Sequence, residues 1–216
     1  MGAAERERRL SRERSRRLRR ERELWRAGVV LVAGVDEVGM GPLAGPVVAA
    51  AVVLPPNVRI NGVRDSKLLT AAARERLASD LAVVAVGIGI GVADVHEVDR
   101  LNIYHAGLAA MARAVAALPE PPGHLLIDAR RIPECPIEQT CVVDGDMSVY
   151  SIAAASIIAK VHRDRMMKDL AERYPGYGFD RHAGYGTRAH LAALRRLGPC
   201  PAHRRSFAPV RGLLGS

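Results

Sequence analysis

The sequence predicts an α/β domain with a mixed central β-sheet flanked by helices and a helical C-terminal region. Two near-continuous apolar runs come first, over residues 29–36 and 47–54. Such runs are typical of strands that are covered on both faces. Helices and strands then alternate, and helices dominate from Met147 onward. This order of elements is typical of a layered α/β domain.

The individual elements follow from capping residues and hydrophobic periodicity. Five strands are predicted, over 29–36, 47–54, 81–92, 124–128 and 140–143. Four helices are predicted, over 70–80, 102–118, 147–173 and 187–197. Thr70 and Asn102 are suited to cap the first two of these helices, and Gly198 is suited to end the last.

The net charge of +9 is concentrated at the two ends of the chain. Residues 1–26 hold eleven Arg and five Glu, and residues 181–216 hold seven Arg and no acidic residue. Residues 27–180 hold fourteen basic and eighteen acidic residues. Basic segments of this kind indicate contacts with nucleic-acid phosphates, although solubility alone also explains a charged arm. The acidic centre would repel a polyanion unless metal ions screened it.

The start of the chain differs in composition from the rest. Residues 1–23 are dominated by Arg, Glu and Ser, which predicts a basic, disordered N-terminal arm. Leu24 and Trp25 can dock a short helix on the folded part, so one domain is expected over 24–216. That length is ample for a hydrophobic core.

Cysteine usage and hydropathy predict a cytoplasmic protein. Cys135, Cys141 and Cys200 form no C-x-x-C pair, which favours free thiols in a reducing compartment and disfavours a zinc site. The longest apolar run, near 43–54, is too short to span a bilayer, and the Arg-rich start is unlike a secretory signal. We expect a monomer with no membrane partner.

Acidic residues follow three of the predicted strands. Asp36 and Glu37 end the first strand, Asp128 ends the fourth, and Asp144 and Asp146 follow the fifth. A carboxylate next to an apolar strand needs a compensating cation. Acids from several strand ends can converge at one edge of a sheet, where their oxygens suit hard divalent cations. Two divalent ions held close together are a general device for phosphodiester hydrolysis. The alternative is that each of these acids caps a helix or forms a surface ion pair, which would explain any single one of them.

Three further segments can contact a ligand. The glycines of the loop 39–46 let the backbone approach a ligand closely. Lys67, in Asp65-Ser66-Lys67, can contact phosphate or belong to a surface turn. Tyr185 lies in a Gly-rich loop, where it can stack on a sugar or base or serve as a packing residue.

Together these motifs resemble the ribonuclease HII family, the type 2 ribonucleases H, over about residues 24–210. The matching motifs are Val35-Asp36-Glu37, Gly39-x-Gly41-Pro42-Leu43-Ala44-Gly45-Pro46, Asp65-Ser66-Lys67-Leu68, Asp128, Gly145-Asp146, residues 152–160, Arg163-Asp164, Gly184-Tyr185-x-Thr187, His190 and His203-Arg204-x-Ser206-Phe207. Each motif is weak alone, and the set is highly specific.

The resemblance implies a ribonuclease H-like fold and a metal-dependent endonuclease that uses Mg²⁺ or Mn²⁺. The implied substrates are RNA–DNA hybrids and duplex DNA containing ribonucleotides, incised 5′ to the ribonucleotide to leave 3′-hydroxyl and 5′-phosphate ends. The implied catalytic and metal-binding acids are Asp36, Glu37, Asp128 and Asp146. The implied substrate-binding residues are Gly39, Met40, Gly41, Ser66, Lys67 and Tyr185. In this scheme the glycine loop reads the ribose 2′-hydroxyl, and Tyr185 stacks on the neighbouring deoxyribose.

Two residues depart from the family pattern. Met40 stands where the family normally has a basic residue, and Val38 replaces the usual Ala. The missing charge bears on recognition of the RNA–DNA junction rather than on the metal site. The alternative interpretation is a non-catalytic nucleic-acid-binding protein on the same fold, and the presence of all four acids argues against it. Another alternative is a metal-dependent nuclease of this fold that cuts DNA lacking ribonucleotides.

Overall fold

A computed structural model describes residues 3–214, and its centre is a five-stranded mixed sheet with the strand order β3-β2-β1-β4-β5. The strands are β1 (Val32–Val38), β2 (Val47–Val53), β3 (Gly87–Ala93), β4 (His124–Asp128) and β5 (Gln139–Val142). β2 pairs antiparallel with both β1 and β3, whereas β1, β4 and β5 run parallel. The predicted α/β class with a mixed sheet is confirmed.

Helices cover both faces of this sheet. The helices are α1 (Ala3–Arg17), α2 (Arg19–Arg26), α3 (Ala71–Val84), α4 (Val95–Ala116), α5 (Gly145–Ser148), α6 (Tyr150–Arg173), α7 (Phe179–His182), α8 (Arg188–Leu197) and α9 (Ala208–Leu214). α3 and α6 share one buried cluster with Val48, Ala50 and Val52 of β2. α4 shares another cluster with the alternate residues of β2. Because both faces of β2 are buried, its sequence is continuously apolar.

Gly34 allows α6 to lie directly against β1. A methyl group at Gly34 would lie 2.1 Å from the carbonyl carbon of Ser151, at the start of α6. No side chain fits at that distance, so only glycine permits this approach. The contact fixes the start of α6, which directly follows the short helix that carries Asp146.

Several element boundaries differ from the prediction. The strand predicted over 81–92 begins at Gly87, because Leu77 and Leu81 continue α3 at helical spacing into the core. α4 begins at Val95, where Asp94 and Glu97 form a capping box. Asn102 lies inside α4 with a φ of 65°. Its Oδ1 accepts hydrogen bonds from the next turn, so it caps the second half of the helix as predicted.

The N-terminal segment also differs from the prediction of a disordered arm over 1–23. Within the described part of the chain, residues 3–26 form α1 and α2, whereas residues 1 and 2 lie outside it. Leu18 is 1% exposed and belongs to the core beneath α6. Glu21, also 1% exposed, accepts hydrogen bonds from the backbone N–H and the hydroxyl of Ser151. The packed region therefore begins before residue 24, because these two side chains attach the segment to the sheet layer.

The C-terminal region is helical, as predicted, and contains α7, α8 and α9. Thr187 caps α8, which lies where the sequence predicted a helix, and α9 was not predicted. Cys135, Cys141 and Cys200 are free thiols, in agreement with the prediction. Between residues 3 and 214, no helix combines the length and the apolar character that crossing a membrane requires.

Candidate active site

The parallel strands bring the predicted acids to one edge of the sheet. Val35 of β1 lies opposite Ile127 of β4. The next residues, Asp36 and Asp128, therefore lie side by side toward the carboxyl ends of two neighbouring parallel strands. Asp128 in turn lies opposite Val142, the last residue of β5. The chain then passes through Asp144 into α5, which carries Asp146.

Asp36 is the most deeply buried of the four acids, with 5% of its surface exposed. Burial raises the pKa of the Asp36 carboxyl well above its usual range, and the charges of Glu37, Asp128 and Asp146 raise this pKa further. Its Oδ1 accepts a hydrogen bond from the backbone N–H of Glu37 at 2.8 Å. The carboxylates are therefore close enough to repel one another, which is the environment that a bound cation would relieve.

Among the described residues, only one of the two carboxylate oxygens of Glu37 has a hydrogen-bond partner. Arg130 Nη1 donates to Glu37 Oε1 at 2.8 Å. Within the described residues, Glu37 Oε2 is buried and has no hydrogen-bond partner. Burial raises the pKa of Glu37, although the positive charge of Arg130 opposes this rise. A buried carboxylate oxygen without a partner is costly, so this atom is a candidate metal ligand.

Asp128 and Asp146 are linked by the turn between β5 and α5. Asp128 Oδ1 accepts a hydrogen bond from the backbone N–H of Gly145 at 2.7 Å. The preceding residue, Asp144, has a φ of 51° and is exposed, so it stays outside the group of four. Burial raises the pKa of Asp146, with Asp65 adding to the rise.

Lys67 forms an ion pair with Asp146, with 3.3 Å between Nζ and Oδ2. Partial burial lowers the pKa of the Lys67 ammonium, but the charges of Asp146 and Asp65 outweigh it and raise the pKa. The Lys67 side chain is 77% exposed, so it can move away from Asp146 at little cost. The neighbouring Ser66 is buried, and its hydroxyl lies 2.9 Å from that of Ser156.

The four acids suit a divalent cation in chemistry, although they do not form a compact ligand cluster. Among residues 3–214, no three His, Cys, Asp or Glu side chains have the mutual arrangement that holds a metal ion. Three of the acids instead accept hydrogen bonds from the protein: Glu37 from Arg130, Asp128 from the backbone N–H of Gly145, and Asp146 from Lys67. The all-carboxylate donor set, the raised pKa values and the unpartnered Glu37 Oε2 fit a hard cation such as Mg²⁺ or Mn²⁺.

Two buried arginines hold the glycine-rich loop 39–46 in place beside the acids. The guanidinium of Arg204 donates to the backbone carbonyls of Gly39, Met40, Pro42 and Gly45. That of Arg163 donates to the carbonyls of Ala44, Pro46 and Ala183. Burial lowers the pKa of Arg163 to about 10 and that of Arg204 to about 9. The carbonyls of the loop are thus turned toward the protein interior.

The loop brings Gly41 next to Tyr185. A methyl group at Gly41 would lie 3.6 Å from Cε1 of Tyr185. The Tyr185 side chain is 46% exposed, and the backbone N–H of Leu43 donates to the carbonyl of Gly184 at 2.8 Å. Within residues 3–214, the N–H groups of Met40 and Gly41 donate to no backbone carbonyl. The loop and Tyr185 therefore form one surface that has free backbone donors and an exposed aromatic ring.

Met40 packs inward rather than toward this surface. A methyl group at Gly107 of α4 would lie 3.1 Å from the Met40 sulfur, which places the Met40 side chain against α4. Arg130 Nη1 would lie 3.9 Å from the same methyl group. A cation thus stands close to Met40 even though the loop itself carries none.

The basic N-terminal segment reaches the acids. Arg17 Nη1 donates to the backbone carbonyl of Asp146 at 3.4 Å. Arg14 donates to the carbonyl of Arg59 and to the side chain of Asn61. Because α1 lies beside the acidic edge, its exposed arginines extend a positive surface from the candidate active site.

Sequence reasoning missed the roles of three arginines. Arg163 and Arg204 belong to the matching motifs, but the sequence assigned them no function. Arg163 lies in the charged second half of α6, next to Asp164, so its local sequence gave no signal that it is buried. Arg130 follows the strand that ends at Asp128, and only the structure shows its contact with Glu37.

Comparisons with known proteins agree with this geometry. The profile of the Ribonuclease HII family matches residues 33–210. A ribonuclease HII from Geobacillus thermodenitrificans is 54% identical over 211 residues, which cover 98% of this chain and 81% of that protein. One from Anaeromyxobacter is 57% identical over 193 residues, which cover 89% of this chain. The matched part is only 61% of the length of the Anaeromyxobacter protein.

Solved structures show the same fold. Ribonuclease H2 from Pyrococcus horikoshii superposes with a TM-score of 0.71 at 27% identity, covering 85% of this chain and 96% of that one. Ribonuclease HII from Archaeoglobus fulgidus, solved in complex with PCNA, superposes with a TM-score of 0.68 at 26% identity, covering 82% of this chain and 95% of that one. Sequence, fold and the acidic edge of the sheet agree, and the chain belongs to the ribonuclease HII family of ribonuclease H enzymes.

Proposed function

We propose that this protein is an endonuclease that hydrolyses the RNA strand of RNA–DNA hybrids. It also incises duplex DNA on the 5′ side of an embedded ribonucleotide, leaving 3′-hydroxyl and 5′-phosphate ends. The observation that carries the proposal is the grouping of Asp36, Glu37, Asp128 and Asp146 at one sheet edge, beside a loop with free backbone donors. A cytoplasmic monomer acting in DNA repair and replication is consistent with this activity.

Each part of the site has a distinct task in this reaction. The four carboxylates would hold the divalent ions, with Glu37 Oε2 available as a ligand. Bound Mg²⁺ or Mn²⁺ would supply an activated water and stabilise the leaving oxygen. Arg130 orients Glu37 through its hydrogen bond. Lys67 can leave its ion pair with Asp146 and bind a substrate phosphate instead. Ser66 stays a predicted substrate contact, although its hydroxyl faces Ser156 in the structure.

Ribose recognition is assigned to the glycine loop and Tyr185. The N–H groups of Met40 and Gly41 are available to hydrogen-bond a 2′-hydroxyl, because Arg204 holds the loop by its carbonyls. The exposed ring of Tyr185 lies beside Gly41 and can stack on the adjacent deoxyribose. This arrangement supports recognition of a junction between ribonucleotide and deoxyribonucleotide.

End-mapping of one duplex tests the proposal. A labelled DNA duplex with a single ribonucleotide is incubated with the enzyme and Mg²⁺. We expect a single cut on the 5′ side of the ribonucleotide and an upstream product that a DNA polymerase extends directly. A cut at another position, or an upstream product that needs removal of a 3′-phosphate before extension, would contradict the proposed chemistry.

Tyr185→Ala is expected to impair incision at a single ribonucleotide more than cleavage of a long hybrid. The reason is that only the junction presents the deoxyribose on which the ring stacks, and removal of one stacked aromatic costs roughly 1–3 kcal/mol. The measurement is kcat/KM on both substrates. Tyr185→Phe, which keeps the ring, serves as the control and should retain most of the preference. Equal losses on both substrates in the Ala variant would point to a structural role.

Met40→Arg is expected to lower the KM for the single-ribonucleotide duplex at low salt. The inward position of Met40 lies beside Arg130, whose charge would repel an arginine there and turn its side chain outward. It would then add a charge-assisted phosphate contact, which is roughly twice as strong as a neutral hydrogen bond. The gain should shrink at high salt because exposed charges are screened beyond about 8–10 Å. The measurement is KM of wild type and of Met40→Arg for this duplex at two salt concentrations. No improvement at low salt would mean that a nearby cation, such as Arg130 or Lys67, already supplies the contact.

Neutralising the exposed arginines of α1 is expected to flatten the salt dependence of hybrid binding. Arg9, Arg12 and Arg16 are exposed, so their replacement by Gln leaves the buried anchors Leu18 and Glu21 intact. Each phosphate that the protein no longer neutralises reduces the slope of log K against log salt by about 0.9, and turnover at saturating substrate should change little. Fluorescence anisotropy at a series of salt concentrations measures the slope.

A matched variant separates the position of these charges from their number. Arg76, Arg100 and Arg173 are exposed arginines outside α1. Their combined replacement by Gln changes the net charge equally and should leave the slope nearly unaltered. The same flattening in both triple variants would show that net charge, and not α1, determines salt dependence.

A further inference from the structure

A chain of two histidines runs from the loop before α9 to the backbone of Tyr185. His203 and His190 are 2% and 0% exposed, and their Nε2 atoms are 3.1 Å apart. His190 Nδ1 lies 2.9 Å from the carbonyl oxygen of Tyr185. At the other end, His203 Nδ1 lies 3.0 Å from the backbone nitrogen of Cys200, 3.1 Å from its sulfur and 3.3 Å from its carbonyl oxygen.

The partners at both ends define the tautomers of this chain. The Tyr185 carbonyl can only accept, so His190 carries its proton on Nδ1 and its neutral ring accepts at Nε2. His203 must then donate from Nε2, which leaves its Nδ1 free to accept the Cys200 N–H. The result is a directional chain of three hydrogen bonds through two neutral rings.

The surroundings favour the neutral rings. Burial lowers the pKa of His190, and burial together with His190 lowers the pKa of His203 to about 4. His182 stacks on His190 with 4.5 Å between ring centroids, and Phe179 contacts the rings of His190 and His203. A second proton on His190 Nε2 would meet the N–H of His203 instead of an acceptor.

The same segment fixes both sides of the surface that reads the junction. The Tyr185 carbonyl accepts from His190 Nδ1 and from the backbone N–H of Thr187, at 2.9 and 2.8 Å. The residue after His203 is Arg204, which binds the carbonyls of the glycine loop. One dipeptide, His203-Arg204, therefore connects to Tyr185 on one side and to Gly39–Gly41 on the other.

We propose that His190 and His203 are positioning residues whose hydrogen-bonded chain sets Tyr185 against the glycine loop, so that junction recognition depends on their hydrogen bonds. This inference rests on the proposed function of Tyr185. Neither histidine is assigned a contact with substrate. Their effect should therefore appear in the preference for a single-ribonucleotide duplex over a long hybrid, and much less in hybrid cleavage itself.

Two variants of His190 separate its two hydrogen bonds. In His190→Asn, the side-chain amide takes the place of Nδ1 and keeps the bond to Tyr185. In His190→Gln, the amide takes the place of Nε2 and keeps only the contact with His203. We expect His190→Gln to lower the ratio of kcat/KM between the two substrates roughly fivefold, the factor for one missing hydrogen bond, while His190→Asn retains it. In a Tyr185→Ala background, His190→Gln should lower this ratio no further.

The outcomes distinguish this inference from the proposed function. An unchanged ratio in folded His190→Gln, or an equal reduction with and without Tyr185, would overturn the positioning role alone. A wild-type enzyme that cuts neither duplex would overturn the proposed function and this role with it. Nitrogen NMR of the wild-type histidines is an independent test that requires no variant to fold. We expect protons on His190 Nδ1 and His203 Nε2, and the opposite tautomers would overturn the chain.

Discussion

Asp36→Asn, Asp128→Asn and Asp146→Asn should each lower turnover by orders of magnitude while the protein stays folded. An amide keeps the shape of the side chain but lacks the negative charge that holds a divalent ion. The structure supports retention of the fold, because asparagine has nearly the same size and shape as aspartate and removes a charge that the neighbouring acids repel. Single-turnover hydrolysis of an RNA–DNA hybrid in Mg²⁺ measures the loss, and circular dichroism checks the fold.

Asp144→Asn is the matched control for these variants. Asp144 lies two residues before Asp146 in the same turn, but it is exposed and stays outside the group of four acids. Its replacement should leave turnover within about twofold, the range expected for a surface substitution of under about 0.5 kcal/mol. Full activity in a folded Asp36, Asp128 or Asp146 variant would remove that residue from the metal site.

Asp36→Asn should raise the thermal stability of the protein when no divalent ion is present. The pKa of Asp36 is raised in the folded protein, so its ionised form is stabilised less than in the unfolded chain. Such a group favours folding at acidic pH and loses that contribution as pH rises through its folded pKa. Asp36→Asn should therefore increase the Tm in EDTA at pH 7, by roughly 2–4 °C per kcal/mol relieved. At a pH where Asp36 is protonated, the difference should vanish.

Arg204→Met should cause a large loss of stability. Methionine matches the length of the arginine stem but leaves four buried loop carbonyls without a donor. Each unsatisfied acceptor costs about 1–3 kcal/mol, and removal of a buried charge offsets part of the sum. We expect a decrease of about 3 kcal/mol in the free energy of unfolding, which urea denaturation measures.

Arg204→Met should also weaken substrate binding, because Arg204 holds the glycine-rich loop. The loop would lose its fixed geometry, so the folded Arg204→Met enzyme should have a higher KM for ribonucleotide-containing duplexes than wild type. Arg205→Met is the control, because Arg205 is the adjacent residue and is exposed. A stability loss below about 1 kcal/mol in Arg204→Met would show that the carbonyls find water or other donors.

The sequence was sufficient to predict the sheet and the acidic edge for a physical reason. Both faces of β2 are covered, so its apolar run was continuous. Asp36 and Asp128 each interrupt an apolar run near the carboxyl end of a strand. A charge in or next to a buried strand is costly, and it is therefore conspicuous.

The sequence was insufficient where long-range contacts decide the structure. The arm over 1–23 has a disorder-prone composition, but Leu18 packs into the core and Glu21 binds Ser151, which is 130 residues away along the chain. The contacts of Arg204 with the loop 39–46 likewise join distant parts of the chain, 165 residues apart in the case of Gly39. Neither local propensity nor periodicity reports on such pairs.

Cleavage of three duplexes side by side with Mg²⁺ tests whether this protein is a ribonucleotide-specific nuclease built on the four carboxylates. The three are all-DNA, DNA with one ribonucleotide, and an RNA–DNA hybrid, each incubated with wild type and with Asp128→Asn. We expect wild type to cut the last two and to leave the all-DNA duplex intact, and EDTA or Asp128→Asn to abolish both cuts. Binding without cleavage, or cleavage of the all-DNA duplex at a comparable rate, would contradict this assignment.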